Sequence, residues 1–187
     1  VQVRNYHHRK SQIEHRLENA GDMLWSGGAW ALSCTRPARG TRYGVPLGGG
    51  PHGWDAFSMV VPLAWGGGHT SRAGDAQLRL TDHCLLVTPR GEEGKRMIQA
   101  PRGIVGMTDP TEGLTFIKQA AYDFDASERY PLRCNVAVYL GPRAFMVELE
   151  TMGPFRTLAP GEELRPIEAW SLRDPIDWRT WRRDARL

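Results

Sequence analysis

The stretch Cys134–Glu150, CNVAVYLGPRAFMVELE, decides the fold. Its arms are β-branched, aromatic or aliphatic, and the middle, Leu140-Gly141-Pro142-Arg143, carries the Gly-Pro signal of a tight turn, so it predicts a β-hairpin. Side chains alternate across a strand. On the return arm Phe145, Val147 and Leu149 therefore face one way, and Met146, Glu148 and Glu150 the other. One face is apolar, for a core, and the opposite face carries two carboxylates.

Working outward, the same signals recur. Ile104–Thr108 and Leu114–Ala121 flank the turn Asp109–Gly113, which places Lys118 on the Phe116 face. Ala76–Leu80, His83–Thr88 and Lys95–Ala100 read as three strands of a meander. After the turn Leu158–Glu162 a last strand, Leu164–Leu172, puts Glu168 and Trp170 on one face. Toward the N-terminus, residues 11–19 fit either a short helix or a strand, the strand being favoured, and Gly27-Gly28 reads as a bend into a buried strand that sets Trp30 inside or at a cleft rim. Residues 36–68, crowded with Gly and Pro, read as one long loop holding Trp54, Trp65 and His52, with His69 just beyond, a candidate binding wall.

The pattern yields roughly nine to eleven strands with no strand–helix alternation. The expectation is an all-β, antiparallel β-sandwich over residues 1–172, followed by a charged tail, 173–187, in which Trp178 and Trp181 have the spacing of a short docked helix. A chain of 187 residues buries a core without disulfides or metals. Its 21 glycines and 13 prolines suit many short strands.

Composition excludes several function classes. The net charge is only +3, and of the 24 basic residues all but Lys10, Lys95 and Lys118 are Arg spread along the chain, so no nucleic-acid partner is expected. No apolar run approaches the ~20 residues of a membrane span, and the polar start is unlike a signal peptide. The expectation is a soluble cytoplasmic protein, although a removed secretion signal would leave no trace. Cys34, Cys84 and Cys134 share no metal or disulfide spacing, and His7-His8, on opposite faces of a strand, cannot both chelate one ion, so neither metal nor cofactor is expected.

Three ordered segments, Val147-Glu148-Leu149-Glu150-Thr151, then Thr157–Glu162, then Glu168-Ala169-Trp170, resemble the end of the aldose 1-epimerases (galactose mutarotases). Phe116-Ile117-Lys118 and Tyr130-Pro131 also look like the pattern of mutarotase-like members of that superfamily without an assigned activity. The likeness covers residues 95–172 well and 13–37 loosely. It implies a supersandwich in a shortened or N-terminally truncated form, and acid–base chemistry on a sugar with Glu150 as general base. The epimerases' His with its Tyr-Phe-Asn motif is absent here, so the general acid is left among His52, His69, Lys118 and Lys95. Trp30, Trp54, Lys95, Glu148 and Trp170 are the candidate substrate-binding residues, Trp for its flat apolar face and Glu148 for sharing the face of Glu150. A non-catalytic carbohydrate-binding sandwich, or a hydrolase or lyase reusing the scaffold, stands as the alternative. The expected partner is a small sugar or glycan, and homo-oligomerisation stays open.

Overall fold

A computed structural model describes residues 2–5, 9–48, 58–62, 64–65 and 69–180, with the side chains of 2–5, 64–65 and 69–70 outside the description. In chain order the strands are β1 (Gln2–Asn5), β2 (Lys10–Glu14), β3 (Leu17–Glu18), β4 (Trp25–Gly27), β5 (Trp30–Thr35) and β6 (Arg42–Pro46). They continue as β7 (Ser58–Val60), β8 (Ala64–Trp65), β9 (His69–Thr70), β10 (Leu78–Leu80), β11 (Cys84–Val87), β12 (Gly94–Gln99) and β13 (Ile104–Asp109). The last are β14 (Leu114–Ala120), β15 (Val136–Leu140), β16 (Val147–Met152), β17 (Arg156–Leu158), β18 (Glu163–Leu164) and β19 (Ile167–Arg173).

Two antiparallel sheets form the sandwich. One has eight strands in the order β1-β2-β19-β14-β13-β6-β11-β10, and the other five in the order β5-β16-β15-β12-β7. Inward side chains of both, among them Tyr43, Val45, Leu85, Ile98, Val105, Val138, Val147 and Leu149, make the main core. Each such buried side chain contributes about 1.5–3 kcal/mol of hydrophobic stabilisation.

The decisive hairpin forms as β15 and β16, in register from Leu140 opposite Val147 to Val136 opposite Thr151. The β13–β14 hairpin also forms, with Val105 opposite Lys118. Elsewhere the structure corrects the expectation. Residues 36–68 are not one loop, because Arg42–Pro46 is a strand inside the larger sheet, between β13 and β11. Nor do the three runs after residue 76 form a meander: β10 and β11 pair, but β12 crosses to the smaller sheet, between β15 and β7. Strand β5 is an edge strand rather than a buried one, with Trp30 and Leu32 exposed.

The described part of the tail holds a single 3-10 turn, Trp178–Thr180, and Trp181 lies outside the described residues. Trp178 is buried against Cys84, Leu86, Ile104 and Ile117 on the outer face of the larger sheet. A Cβ at Gly44 would stand 2.3 Å, and one at Gly106 2.7 Å, from its ring, so both glycines leave room for the indole. Thr108 and Thr115 fix the approach by bonding the carbonyl and the amide of Ile176. No helix among the described residues is long and apolar enough to cross a membrane.

Candidate functional site

Strand β16 is the second strand of the smaller sheet, paired with β15 on one side and with edge strand β5 on the other. Val147 and Leu149 point into the core, so Glu148 and Glu150 point out of the sandwich, as the period of two requires. The registers place Cys34 opposite Glu148, Leu32 opposite Glu150 and Trp30 opposite Met152. Lys95, from β12, lies across Tyr139 on the same outer face.

These neighbours enclose Glu150. Lys95 Nζ donates to both carboxylate oxygens, each at 2.9 Å, and Trp30 Nε1 donates to Oε2. The Lys95 ammonium also stands 4.9 Å from the centre of a Trp30 ring, a cation–π contact that holds the indole edge toward the carboxylate. Glu150 is fully buried and Lys95 keeps 15% of its side chain exposed, so the pair is desolvated on one side and reachable on the other. Trp30 is 43% exposed and forms the rim. Met97, Ala137 and Met152, buried on this outer face beside Cys134 and Val60, supply an apolar floor.

Glu148 is the second carboxylate of the face. Burial first, and then the charge of Glu150, push its carboxyl above the usual range, against the opposing pull of Lys95. Its Oε1 is 3.9 Å from the Cys34 thiol. The face therefore gathers one buried carboxylate, one ammonium, a second carboxyl with a raised proton affinity and an aromatic rim.

Of the residues singled out in the sequence, Glu150, Lys95, Trp30 and Glu148 come together here. Lys118 and Trp170 do not. Lys118 points into the interior from β14, where its Nζ donates to the carbonyls of Ala31 (2.8 Å) and Leu149 (3.3 Å) and pairs with Glu168 Oε1 at 3.2 Å. That is the opposite side of β16 from Glu150. Burial lowers the Lys118 pKa, partly offset by the charge of Glu168. Trp170 donates to Glu168 Oε2 at 3.0 Å and meets Phe116 edge to face, so it belongs to the same interior group. His52 and Trp54 lie outside the described residues. His69 pairs through its backbone with Trp65 in β8–β9, with neither side chain described.

Two features were not singled out beforehand. One is the contact of the Cys34 thiol with Glu148, and the other is the Lys118–Glu168 group with Thr151 and His15 around it. Neither has a local motif, because each arises from registers between distant strands.

No protein-family model and no curated protein matches the sequence. Solved structures do match. A candidate aldose 1-epimerase from Escherichia coli K12 superposes with a TM-score of 0.55 at 13% identity, over 89% of this chain and 57% of that one. The fold is that of the mutarotase-like sandwiches. A galactose mutarotase-like protein from Lactobacillus casei ATCC 334 gives a TM-score of 0.50 at 11% identity, over 89% of this chain and 60% of that one. The Slr1438 protein of Synechocystis sp. PCC 6803 gives 0.51 at 14% identity, over 90% and 52% respectively. The chain thus spans between half and two thirds of the length of these structures.

Proposed function

We propose that the chain acts on a sugar by acid–base chemistry of the mutarotase type, with Glu150 as general base and Lys95 as general acid. The observation that carries this reading is the Lys95–Glu150 pair, an acceptor and a donor of protons 2.9 Å apart on one outer sheet face beside a half-exposed Trp. Glu150 takes the proton of the anomeric hydroxyl while the bond from the anomeric carbon to the ring oxygen breaks. That oxygen keeps the electron pair and takes a proton from Lys95. The open-chain aldehyde rotates about its first carbon–carbon bond and closes by the reverse steps, which returns each proton to its source. Trp30 offers its flat face to the ring, and Glu148, with its raised proton affinity, offers a hydrogen bond to a hydroxyl. The sugar-related names of two fold neighbours support the substrate class.

A second reading has its own observation: Glu150 already receives three hydrogen bonds, a closed arrangement that suits a binding face without turnover. The two separate in one experiment. Anomer interconversion of glucose and galactose is followed by polarimetry for the wild type and Glu150→Gln, with far-UV circular dichroism as the check on folding. Loss of a general base lowers the rate by about 100-fold or more. A folded Glu150→Gln protein that matches the wild type, or a wild type that binds either sugar without turning it over, refutes the catalytic reading.

A further inference from the structure

A second polar cleft lies on the other side of β16, at the end of the sandwich where β5, β16 and β19 meet. Its cavity of about 670 Å³ is lined by His15, Tyr122, Asp123, Tyr130, Thr151, Arg156, Arg165 and Glu168, among others. A smaller cavity of about 320 Å³ continues from it, sharing Ala29, Gly153, Pro154, Arg156, Arg165 and Pro166. Each volume falls in or near the range of small-molecule sites. Their common wall makes the two lobes one continuous groove.

The inner wall is built and rigid. Glu168, with a side chain only 3% exposed, is bonded by Thr151 Oγ1 and Trp170 Nε1 and paired with Lys118. Beside it His15 Nε2 stands 3.3 Å from Glu168 Oε2, in contact but off the line of a hydrogen bond. That buried nitrogen has no hydrogen-bond partner among the described residues. The rest of the His15 ring stays open, since 21% of its side chain is exposed on this wall of the groove.

Charge decides the ligand class. Among the charged groups on the walls, Lys118 neutralises Glu168 and Arg165 pairs with Glu163. This leaves Arg156 and Asp123, one of each sign, both close enough to Tyr130 to act on its phenol in opposite directions. A groove with balanced charge suits a neutral ligand. Planar polar side chains interleaved with two Tyr rings, which meet edge to face at 4.8 Å, suit one rich in hydroxyls with apolar ring faces. We propose that this groove binds a neutral oligosaccharide, with His15 and Arg156 as the hydroxyl-bonding groups and the two joined cavities favouring a chain over a single ring. The site is separate from the Glu150 face and does not depend on any turnover there.

The test is an array of defined neutral oligosaccharides and their monosaccharides, probed with the full chain as wild type, His15→Ala, Arg156→Ala and Glu150→Gln. Circular dichroism checks that each protein is folded. The expected result is binding of at least one oligosaccharide in preference to its monosaccharide, weakened about tenfold by His15→Ala and by Arg156→Ala and unchanged in Glu150→Gln. Three results overturn the proposal: no neutral oligosaccharide bound by the wild type, binding indifferent to both cleft substitutions, or binding lost in folded Glu150→Gln alone. The last would move the ligand to the Glu150 face and leave the catalytic reading intact, so the two failures are distinguishable.

Discussion

Replacing Lys95 by Met tests how tightly the Glu150 face is built. Met keeps much of the length and apolar bulk of the lysine stem and removes the charge. In the wild type both Glu150 oxygens take a hydrogen bond from Lys95 at 2.9 Å, and the carboxylate has no exposed surface. After the substitution it retains the bond from Trp30 with no counter-charge on its own face of the sheet. Breaking a buried pair by removing one partner costs about 3–5 kcal/mol, and the 15% exposure of Lys95 argues for the lower end, about 3 kcal/mol. With a urea dependence of about 2 kcal/mol per molar, the unfolding midpoint falls by about 1.5 M. The converse change, Glu150→Gln, costs less, because the stem of Lys95 can turn its ammonium toward water whereas Glu150 has no such route. The double variant Lys95→Met/Glu150→Gln recovers part of the loss, since neither charge is left alone, and its coupling is about 2 kcal/mol in the favourable direction. Urea unfolding of all four proteins at pH 7, followed by far-UV circular dichroism, measures the cycle. A double variant whose loss equals the sum of the two single losses would refute the claim that the two charges stabilise each other.

Gly44→Ala displaces the Trp178 ring and destabilises the wild type by up to about 3 kcal/mol, but has little effect in a Trp178→Ala background, where the space is vacant. Chemical denaturation measures both, and an equal cost in the two backgrounds would show that Gly44 is required for another reason. Because the folded-state pKa of Glu148 is raised, the native protein holds its proton above the pH at which the unfolded chain releases it. The resulting stability is present below about pH 4.5 and is lost as pH rises through the folded pKa, so wild type minus Glu148→Gln stability declines across that window. A flat or rising difference contradicts the assigned direction.

The sandwich was legible wherever strands carry their signal locally. Hairpin β15–β16 has uninterrupted strand formers around a Gly-Pro turn, and β13–β14 has turn residues at its tip. Strand β6 was not legible, because Gly44 and Pro46 read as loop residues. The reason for Gly44 lies far along the chain: it is the space taken by Trp178. The crossing of β12 to the other sheet was equally hidden, since a turn signal marks where a strand ends and not which sheet receives the next one. For the site, period two put Glu148 and Glu150 on one face, and the scarcity of lysine in an Arg-rich chain drew attention to Lys95 and Lys118. Only the sheet topology separates those lysines, sending Lys95 to the outer face of β16 and Lys118 to the inner.

That separation gives the two lysines a joint role. Glu150 and Glu168 are both buried carboxylates, one on each side of the smaller sheet, and each has its own lysine. Lys118 does more than neutralise Glu168, because its ammonium also holds the carbonyl of Leu149, the residue just before Glu150, and that of Ala31, just after Trp30. The charge of Glu150 in turn favours the protonated form of Lys118 through the thickness of the strand. At low internal dielectric, charges so placed interact strongly even without touching. Lys118 therefore fixes the backbone from which both Glu150 and Trp30 project, and supplies positive potential behind the carboxylate while Lys95 supplies it in front. A lysine that stands apart from the outer face in every contact it makes is in this way the group that positions two of the residues on it.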